Sequence, residues 1–203
     1  ELLDVTVVSG DAADVVTAPG VTNQVLTFTV TNTGNGSEAF TLTPNGTLGG
    51  DDFDPTTTSI VIDSNNNGVY DAGVDTVYTP GTNGPVLAAD ASVKVFVLST
   101  IPGNLTDGNR GLVNLTAAAK TGTGTPGTSF AGQGDGGGDA VLGTTGGDGV
   151  DDGAFVVSNA VVTLAKSAVV ADPFGGTESV PGSIITYTLA ATITGSATLS
   201  NLA

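Results

Sequence analysis

The chain has no histidine, cysteine, methionine or tryptophan, and only 4 basic residues stand against 20 acidic ones. Without histidine and cysteine, it has no side chains for a zinc or copper site of the ordinary type. A Ser-His-Asp or Cys-His nucleophile is excluded for the same reason. The absence of cysteine also excludes disulfides, although it does not fix a compartment. Carboxylate chemistry and hard cations such as Ca²⁺ remain open.

The charge balance narrows the choice of partners. A formal net charge of -16 repels nucleic acid and anionic membrane surfaces, so we expect neither as a partner. No apolar run approaches the ~20 residues needed to cross a bilayer, which predicts no membrane span. Millimolar calcium outside cells would offset much of the negative charge, and weak calcium sites are typical of extracellular modules. The composition therefore predicts an extracellular or cell-surface location.

Helix signals are nearly absent from the chain. With 31 Gly, 9 Pro and abundant Thr and Val, it favours strands and turns. In Val25–Thr31, Leu26, Phe28 and Val30 share one face, which predicts a half-buried strand. The other strand candidates are Asp4–Val8, Ala39–Thr43, Ser59–Ile62, Thr76–Tyr78, Ser92–Ser99, Gly111–Ala119, Phe155–Leu164 and Ile184–Ile193. Many short strands separated by Gly, Pro and Asn turns predict an all-β sandwich.

An internal repeat divides the chain. Pro19-Gly20 and Pro181-Gly182 each lead into a strand of the form Thr-aromatic-Thr-aliphatic that ends at a glycine. The repeat predicts two modules of one type, a β-sandwich over residues 1–120 and a second module over residues 161–203. The second offers about three strands against the ~7 of a sandwich, so we expect only its opening strands. A shortened chain or a neighbouring subunit that completes the fold would each explain this.

Residues 121–160 differ in composition from both modules. They are rich in Gly, Thr and Asp, which predicts a flexible connecting segment. Ala140–Leu142 nevertheless has the character of a short strand. A second calcium site is an alternative for this segment, because aspartates recur in it at Asp135, Asp139, Asp148, Asp151 and Asp152.

The most informative stretch is Asp63–Asp75, which we call the Asp/Asn loop and which reads D-S-N-N-N-G-V-Y-D-A-G-V-D. A calcium ion needs six to eight oxygen ligands, and loops supply them by alternating ligand and spacer residues around a glycine turn. The predicted ligands are the side chains of Asp63, Asn65, Asn67 and Asp71 and the carbonyl of Val69. Asp75 is the sixth, in place of the Glu that an EF-hand calcium loop has at its twelfth position. The alternative is a solvated Asn/Asp/Gly turn. Strands and not helices flank the loop, so it cannot act as an EF-hand switch, which opens a pair of helices when calcium binds. We interpret it as a structural staple between two strands.

Three segments resemble a known family: P-G-V-T-N-Q-V-L-T-F-T-V-T-N-T-G-N-G, the Asp/Asn loop, and V-T-L-A-K-S with P-G-S-I-I-T-Y-T-L. They are similar to the conserved-repeat, immunoglobulin-like domains of bacterial cell-surface proteins, above all the long secreted repeat proteins of Gram-negative bacteria. The likeness covers Leu3 to Ala119 and resumes at Val161. It implies an immunoglobulin-like sandwich that serves outside the cell as a spacer, adhesin stalk or filament subunit, without catalysis.

Together, these observations predict a non-catalytic, calcium-stabilised surface or filament protein. Adjacent acids such as Asp51 and Asp52 are more often solvated or metal-bound than catalytic. The alternative function is an adhesin-type module that binds a glycan or a host protein, for which the candidate aromatic contacts are Tyr70, Tyr78 and Phe130.

The broken repeat also predicts self-association. A neighbour's open sheet edge could accept a donated strand, and head-to-tail donation would give a polymer. The predicted donors are Leu2–Val8 and Ile184–Ile193. A Lys–Asn isopeptide staple is a further alternative, and it would need Lys94, Lys120 or Lys166 to be buried.

Overall fold

The computed structural model describes residues 1–196. Its strands are β1 (Leu2–Leu3), β2 (Val5–Ser9), β3 (Val15–Thr17), β4 (Gln24–Asn32), β5 (Glu38–Asn45), β6 (Thr56–Ile62), β7 (Thr76–Val77), β8 (Val86–Leu87), β9 (Ser92–Thr100), β10 (Arg110–Ala119), β11 (Ser129–Phe130), β12 (Ala140–Leu142), β13 (Asp148–Val157), β14 (Ala160–Ala171) and β15 (Ile184–Gly195). One short 3-10 turn, Asp135–Gly137, precedes β12. The chain forms two compact units, Glu1–Val157 and a second that begins at Ser158.

The first unit is a sandwich of two five-stranded sheets. The front sheet has the order β2-β4-β9-β6-β7 and the back sheet the order β3-β13-β10-β5-β8. Within them β3 and β13 run parallel, and the other neighbouring strands are antiparallel. Phe28 of the front sheet and Phe40 and Phe155 of the back sheet meet in one core. The predicted all-β sandwich is confirmed, and its two facing sheets fit the immunoglobulin-like architecture.

The alternation seen in the sequence explains how the front sheet reaches this core. Leu26, Phe28 and Val30 of β4 are fully buried, and the residues between them are partly exposed on the other face. Burying each of these side chains contributes about 1.5–3 kcal/mol relative to leaving it in water. The strand predicted over Val25–Thr31 is therefore confirmed, along with the face that it buries.

The sandwich extends past the boundary predicted at residue 120. β13 lies between β10 and β3, pairing with β10 from Arg110–Val156 to Ala118–Asp148. β12 forms as predicted and pairs in parallel with β1. The prediction of a connecting segment over 121–160 is therefore wrong for β12 and β13, which belong to the first unit. The single strand predicted at Phe155–Leu164 is also wrong, because β13 ends before β14 begins.

The N-terminal residues are integral to the sandwich. β2 pairs with β4, and its Val5 and Val7 contribute to the main core. Leu3 of β1 packs with Ala140 and Leu142 in a smaller cluster. The prediction that Leu2–Val8 is a donor strand is therefore wrong for this chain, because its buried side chains belong to the chain's own sandwich.

The second unit is an antiparallel hairpin of β14 and β15, paired from Ala160–Gly195 to Ala171–Ile184. Directly paired residues share a face, so Val162, Leu164, Tyr187, Leu189 and Ile193 lie on one side, which we call the apolar face. The same face carries one charge, Lys166, whose ammonium lies 4.5 Å from the centroid of the Tyr187 ring. The opposite side, the threonine face, carries Thr163, Ser167, Thr186, Thr188, Thr192 and Thr194 among its residues. These two strands are consistent with the opening strands expected for a second module.

Candidate functional site

The Asp/Asn loop joins β6 to β7, and the strands fix both of its ends. Ile62 pairs with Thr76 just outside the loop, and the Asp63 N–H donates to the carbonyl of Lys94 on β9 (3.0 Å). Gly68 turns the chain with φ +79°, in the left-handed region that glycine enters without steric cost. The glycine-dependent turn that the sequence predicts at Gly68 is therefore present in the structure.

Asp63 provides the strongest chemical signal in the loop. Its side chain is buried, with only 6% of the residue exposed. One carboxylate oxygen, Oδ2, accepts the Gly68 N–H at 2.8 Å. The other, Oδ1, is buried and has no hydrogen-bond partner among the described residues. A buried polar atom without a partner is costly to keep, and a carboxylate oxygen in this state fits a hard cation.

Asn65, Asn67 and Asp71 converge on one point of the loop. The Nδ2 groups of Asn65 and Asn67 both donate to Asp71 Oδ2, at 2.9 and 2.6 Å. The Asn65 amide, followed by that of Asn67, lowers the pKa of the Asp71 carboxyl and keeps it ionised. A side-chain amide carries an oxygen as well as a nitrogen, so rotation of either amide would present an oxygen at the same point. Three of the predicted ligand side chains are therefore brought together.

Asp75 makes backbone contacts in the loop that the sequence did not predict. It is buried, and its two oxygens accept the N–H groups of Ser64 (3.1 Å) and Asp71 (2.7 Å). The carboxylate therefore ties the two ends of the loop together. Val69 donates its N–H to Asn67 Oδ1 at 2.8 Å and leaves its side chain exposed. Within residues 1–196, no group of three or more carboxylates is arranged to hold a metal, so a cation here would need the asparagine and backbone oxygens too.

The loop is also packed onto the sandwich through Tyr70. The Tyr70 ring meets Phe96 edge-on, with ring centroids 5.9 Å apart. Phe96 belongs to a buried cluster with Val61 and Leu98, against which Val25 and Tyr70 pack. Because alternate residues of a strand face opposite ways, this cluster lies on the outer face of the front sheet, opposite the main core. Order in the loop is thereby linked to packing on the sheet.

The other predicted sites are not assembled in the described residues. The recurring aspartates bind separate backbone N–H groups: Asp135 Oδ2 accepts from Ser37, Asp139 Oδ1 from Gly132 and Asp151 Oδ2 from Ser9. This distribution does not form a second calcium site. The three lysines are exposed, which contradicts the buried triad of an isopeptide staple.

The aromatic side chains considered for an adhesin surface are used internally. The Tyr78 hydroxyl accepts the Leu42 N–H at 3.1 Å, and this ring belongs to the main core. Phe130 packs on the small cluster around Leu3. Tyr70 packs on the outer face of the front sheet, and like Phe130 it is half-buried, so none of the three is displayed as a fully exposed contact.

Tyr78 also helps to close one edge of the sandwich, an arrangement that no sequence pattern predicts. Along the outward edge of β5, Phe40 donates to Pro85 (2.9 Å), Leu42 donates to the Tyr78 hydroxyl, and Pro44 has no N–H. An edge without free donors cannot pair with an added strand in the usual way. This stretch of β5 is therefore a poor acceptor for strand donation.

Comparison with known proteins adds little to this description. No family model matches the chain, and no curated protein matches it either. Among solved structures, it is similar to the ASH / PapD-like domain of human CEP192 (PapD-like domain 7), with 10% identity and a TM-score of 0.32. The alignment covers 75% of this chain and 82% of that domain. At this TM-score the likeness supports no conclusion about family or activity.

Proposed function

We propose that this chain is a non-catalytic structural protein of the cell exterior, stabilised by calcium and used as a surface or filament subunit. The observation that carries the calcium role is Asp63 Oδ1, buried and unpaired in the same loop as the convergent Asn65, Asn67 and Asp71 side chains. A solvated turn has no need of a buried carboxylate oxygen without a partner. No helix within residues 1–196 is long and apolar enough to cross a membrane.

The proposed calcium ion would act on stability. It would be held by the carbonyl of Val69 and by side-chain oxygens of Asp63, Asn65, Asn67, Asp71 and Asp75. When bound, it supplies the positive charge that the loop lacks. The unfolded loop would bind it poorly, so binding favours the folded state by mass action. Tyr70 would carry the effect from the loop to the outer face of the front sheet through its contact with Phe96.

The charge of the whole chain supports the same role. The net charge is -16, and Arg110–Asp14 is the one ion pair formed within residues 1–196. With so few cations to offset the carboxylates, the folded state repels itself. A location with millimolar free calcium, outside the cell, would suit such a chain.

A thermal melt tests this proposal. We expect the unfolding midpoint to rise by about 3–6 °C in roughly 10 mM CaCl2 relative to EDTA. That concentration is about ten times the Kd of a weak extracellular site, which adds ~1.4 kcal/mol. NaCl at matched ionic strength is the control, because any salt screens a charged surface. An equal midpoint in CaCl2 and NaCl would show that the loop is only a turn.

Self-association is the second part of the proposal, and the hairpin is the segment that supports it. Leu164 and Leu189 on its apolar face are 66% and 67% exposed, and a two-stranded hairpin is marginally stable alone. Pairing with a second copy would cover this face and its strand edges, and repeated head-to-tail contacts would build a filament. Of the two donors predicted from the sequence, we retain Ile184–Ile193 of β15, which pairs with β14 but, unlike Leu2–Val8, keeps its side chains exposed.

A pair of hairpin variants tests the self-association. Leu164→Lys places a second charge on the apolar face, in addition to Lys166, and Thr188→Lys places the same charge on the threonine face. We expect assemblies of the parent chain, measured by light scattering and electron microscopy, to persist with Thr188→Lys and to dissociate with Leu164→Lys, because a buried unpaired charge is costly. A parent chain that stays monomeric at all concentrations, or equal behaviour of the two variants, contradicts the proposal.

A further inference from the structure

Lys94 lies beside the proposed calcium loop, although it is far from the loop in sequence. It is on β9, with an exposed side chain, and its carbonyl accepts the Asp63 N–H. Its ammonium lies over the turn at Gly68, where a Cβ added to the glycine would be 2.7 Å from Lys94 Nζ. The front sheet thus holds one of the chain's few positive charges against the segment that carries Asp63, Asp71 and Asp75.

Arg110, by contrast, already has a carboxylate partner away from the loop. Arg110 forms the Asp14 ion pair, and that contact lowers the pKa of the Asp14 carboxyl. Lys94 has no carboxylate within ion-pair distance in the described part of the chain. Its charge therefore acts on the loop as a nearby field and not through a direct contact. Such a field stabilises an anionic loop and opposes the arrival of a second cation.

We propose that Lys94 sets the calcium threshold of the loop. Without calcium, its ammonium partly offsets the loop carboxylates and limits their mutual repulsion. When calcium binds, the same charge repels the ion and weakens its affinity, so the loop fills only at the high calcium concentrations found outside cells. This inference rests on the proposed calcium role and adds to it a residue that tunes the site without ligating the metal.

The size of the effect follows from Coulomb's law. A unit charge removed from roughly 8 Å of a divalent ion, in a medium close to water, changes the binding constant by about fivefold. The effect should shrink as salt is added, because the Debye length at ~0.15 M salt is about 8 Å. A remote surface charge should matter much less under the same conditions.

The test compares two lysine variants with the same change of net charge. Lys94→Gln removes the charge beside the loop, and Lys120→Gln removes one at the end of β10, on the other sheet. In calorimetric titrations with CaCl2 at low salt, we expect the Kd to fall by about fivefold with Lys94→Gln and by less than about twofold with Lys120→Gln. Lys94→Arg keeps the charge and should retain the parent affinity. In EDTA, Lys94→Gln should melt below Lys120→Gln.

The outcomes separate the two proposals. If the parent chain binds calcium but the two glutamine variants shift its Kd equally, Lys94 has no special role and the inference is wrong, while the calcium role stands. If Lys94→Arg behaves like Lys94→Gln, packing and not charge controls the site, which also overturns it. If the parent chain binds no calcium in CaCl2, the calcium role and the inference both fail.

Discussion

A chain that ends at Lys120 is expected not to fold, although the sequence alone predicts a complete sandwich over residues 1–120. The truncation removes β13, which lies between β10 and β3 in the back sheet. It also removes Phe155, fully buried in the main core, and the loss of one such ring typically costs about 3–5 kcal/mol. The loss of the whole strand should exceed the ~5–15 kcal/mol by which domains are stable. Circular dichroism and amide NMR spectra would show the result.

The matched chain ends at Val157 and keeps every strand of the first unit. We expect it to give dispersed amide signals and a cooperative melt, because its core and both five-stranded sheets remain complete. A cooperative transition in the shorter chain would contradict the pairing of β13. Failure of the longer chain would instead show that the first unit depends on the residues after Val157.

Replacing Asp63 by asparagine is expected to abolish the stabilisation by calcium. The variant keeps the shape of the side chain and an oxygen that can accept the Gly68 N–H, but it removes the buried negative charge. A hard cation favours charged oxygen ligands, so the rise of about 3–6 °C in CaCl2 should fall below ~1 °C. Thermal melts of the variant in CaCl2 and in EDTA measure the difference directly.

Asp90→Asn is the matched control for this variant. Asp90 is an exposed residue with φ +60°, a conformation that asparagine also tolerates. The change in net charge is the same, so any general relief of repulsion appears in both variants. A calcium shift that survives in Asp63→Asn, or that vanishes equally in Asp90→Asn, would place the ion away from the Asp/Asn loop.

The Asp/Asn loop illustrates how far local sequence can be interpreted. The spacing of Asp63, Asn65, Asn67 and Asp71 around Gly68 predicts a turn with convergent oxygens. The structure brings the last three side chains together and ties Asp63 to the turn through the Gly68 N–H. The backbone contacts of Asp75 could not be predicted. Its spacing from Asp63 fits an extra ligand, and in the folded loop its oxygens also accept the Ser64 and Asp71 N–H groups. Which N–H groups donate to a carboxylate depends on the backbone conformation, and that is fixed only in the folded loop.

The wrong prediction that the sandwich ends at residue 120 also has a specific cause. The first half of β13 reads D-G-V-D-D-G, with almost no apolar residue to signal a strand. Gly149 is needed there because a Cβ would lie 2.8 Å from the Val5 carbonyl oxygen of β2. A glycine required for close approach between sheets resembles, in the sequence, a glycine of a flexible linker. Only the contact of Gly149 with β2, a strand near the other end of the unit, distinguishes the two kinds of glycine.

By itself, the sequence determined the all-β class, the position of most strands, the acidic surface and the Asp/Asn loop, because alternation, turn residues and ligand spacing are local properties. Only the tertiary structure decided that β13 completes the back sheet and that β1 pairs with β12. It also placed Lys94 beside Gly68. These facts depend on pairing between distant segments, where a strand is defined by the partner that satisfies its backbone and by the space that its side chains share.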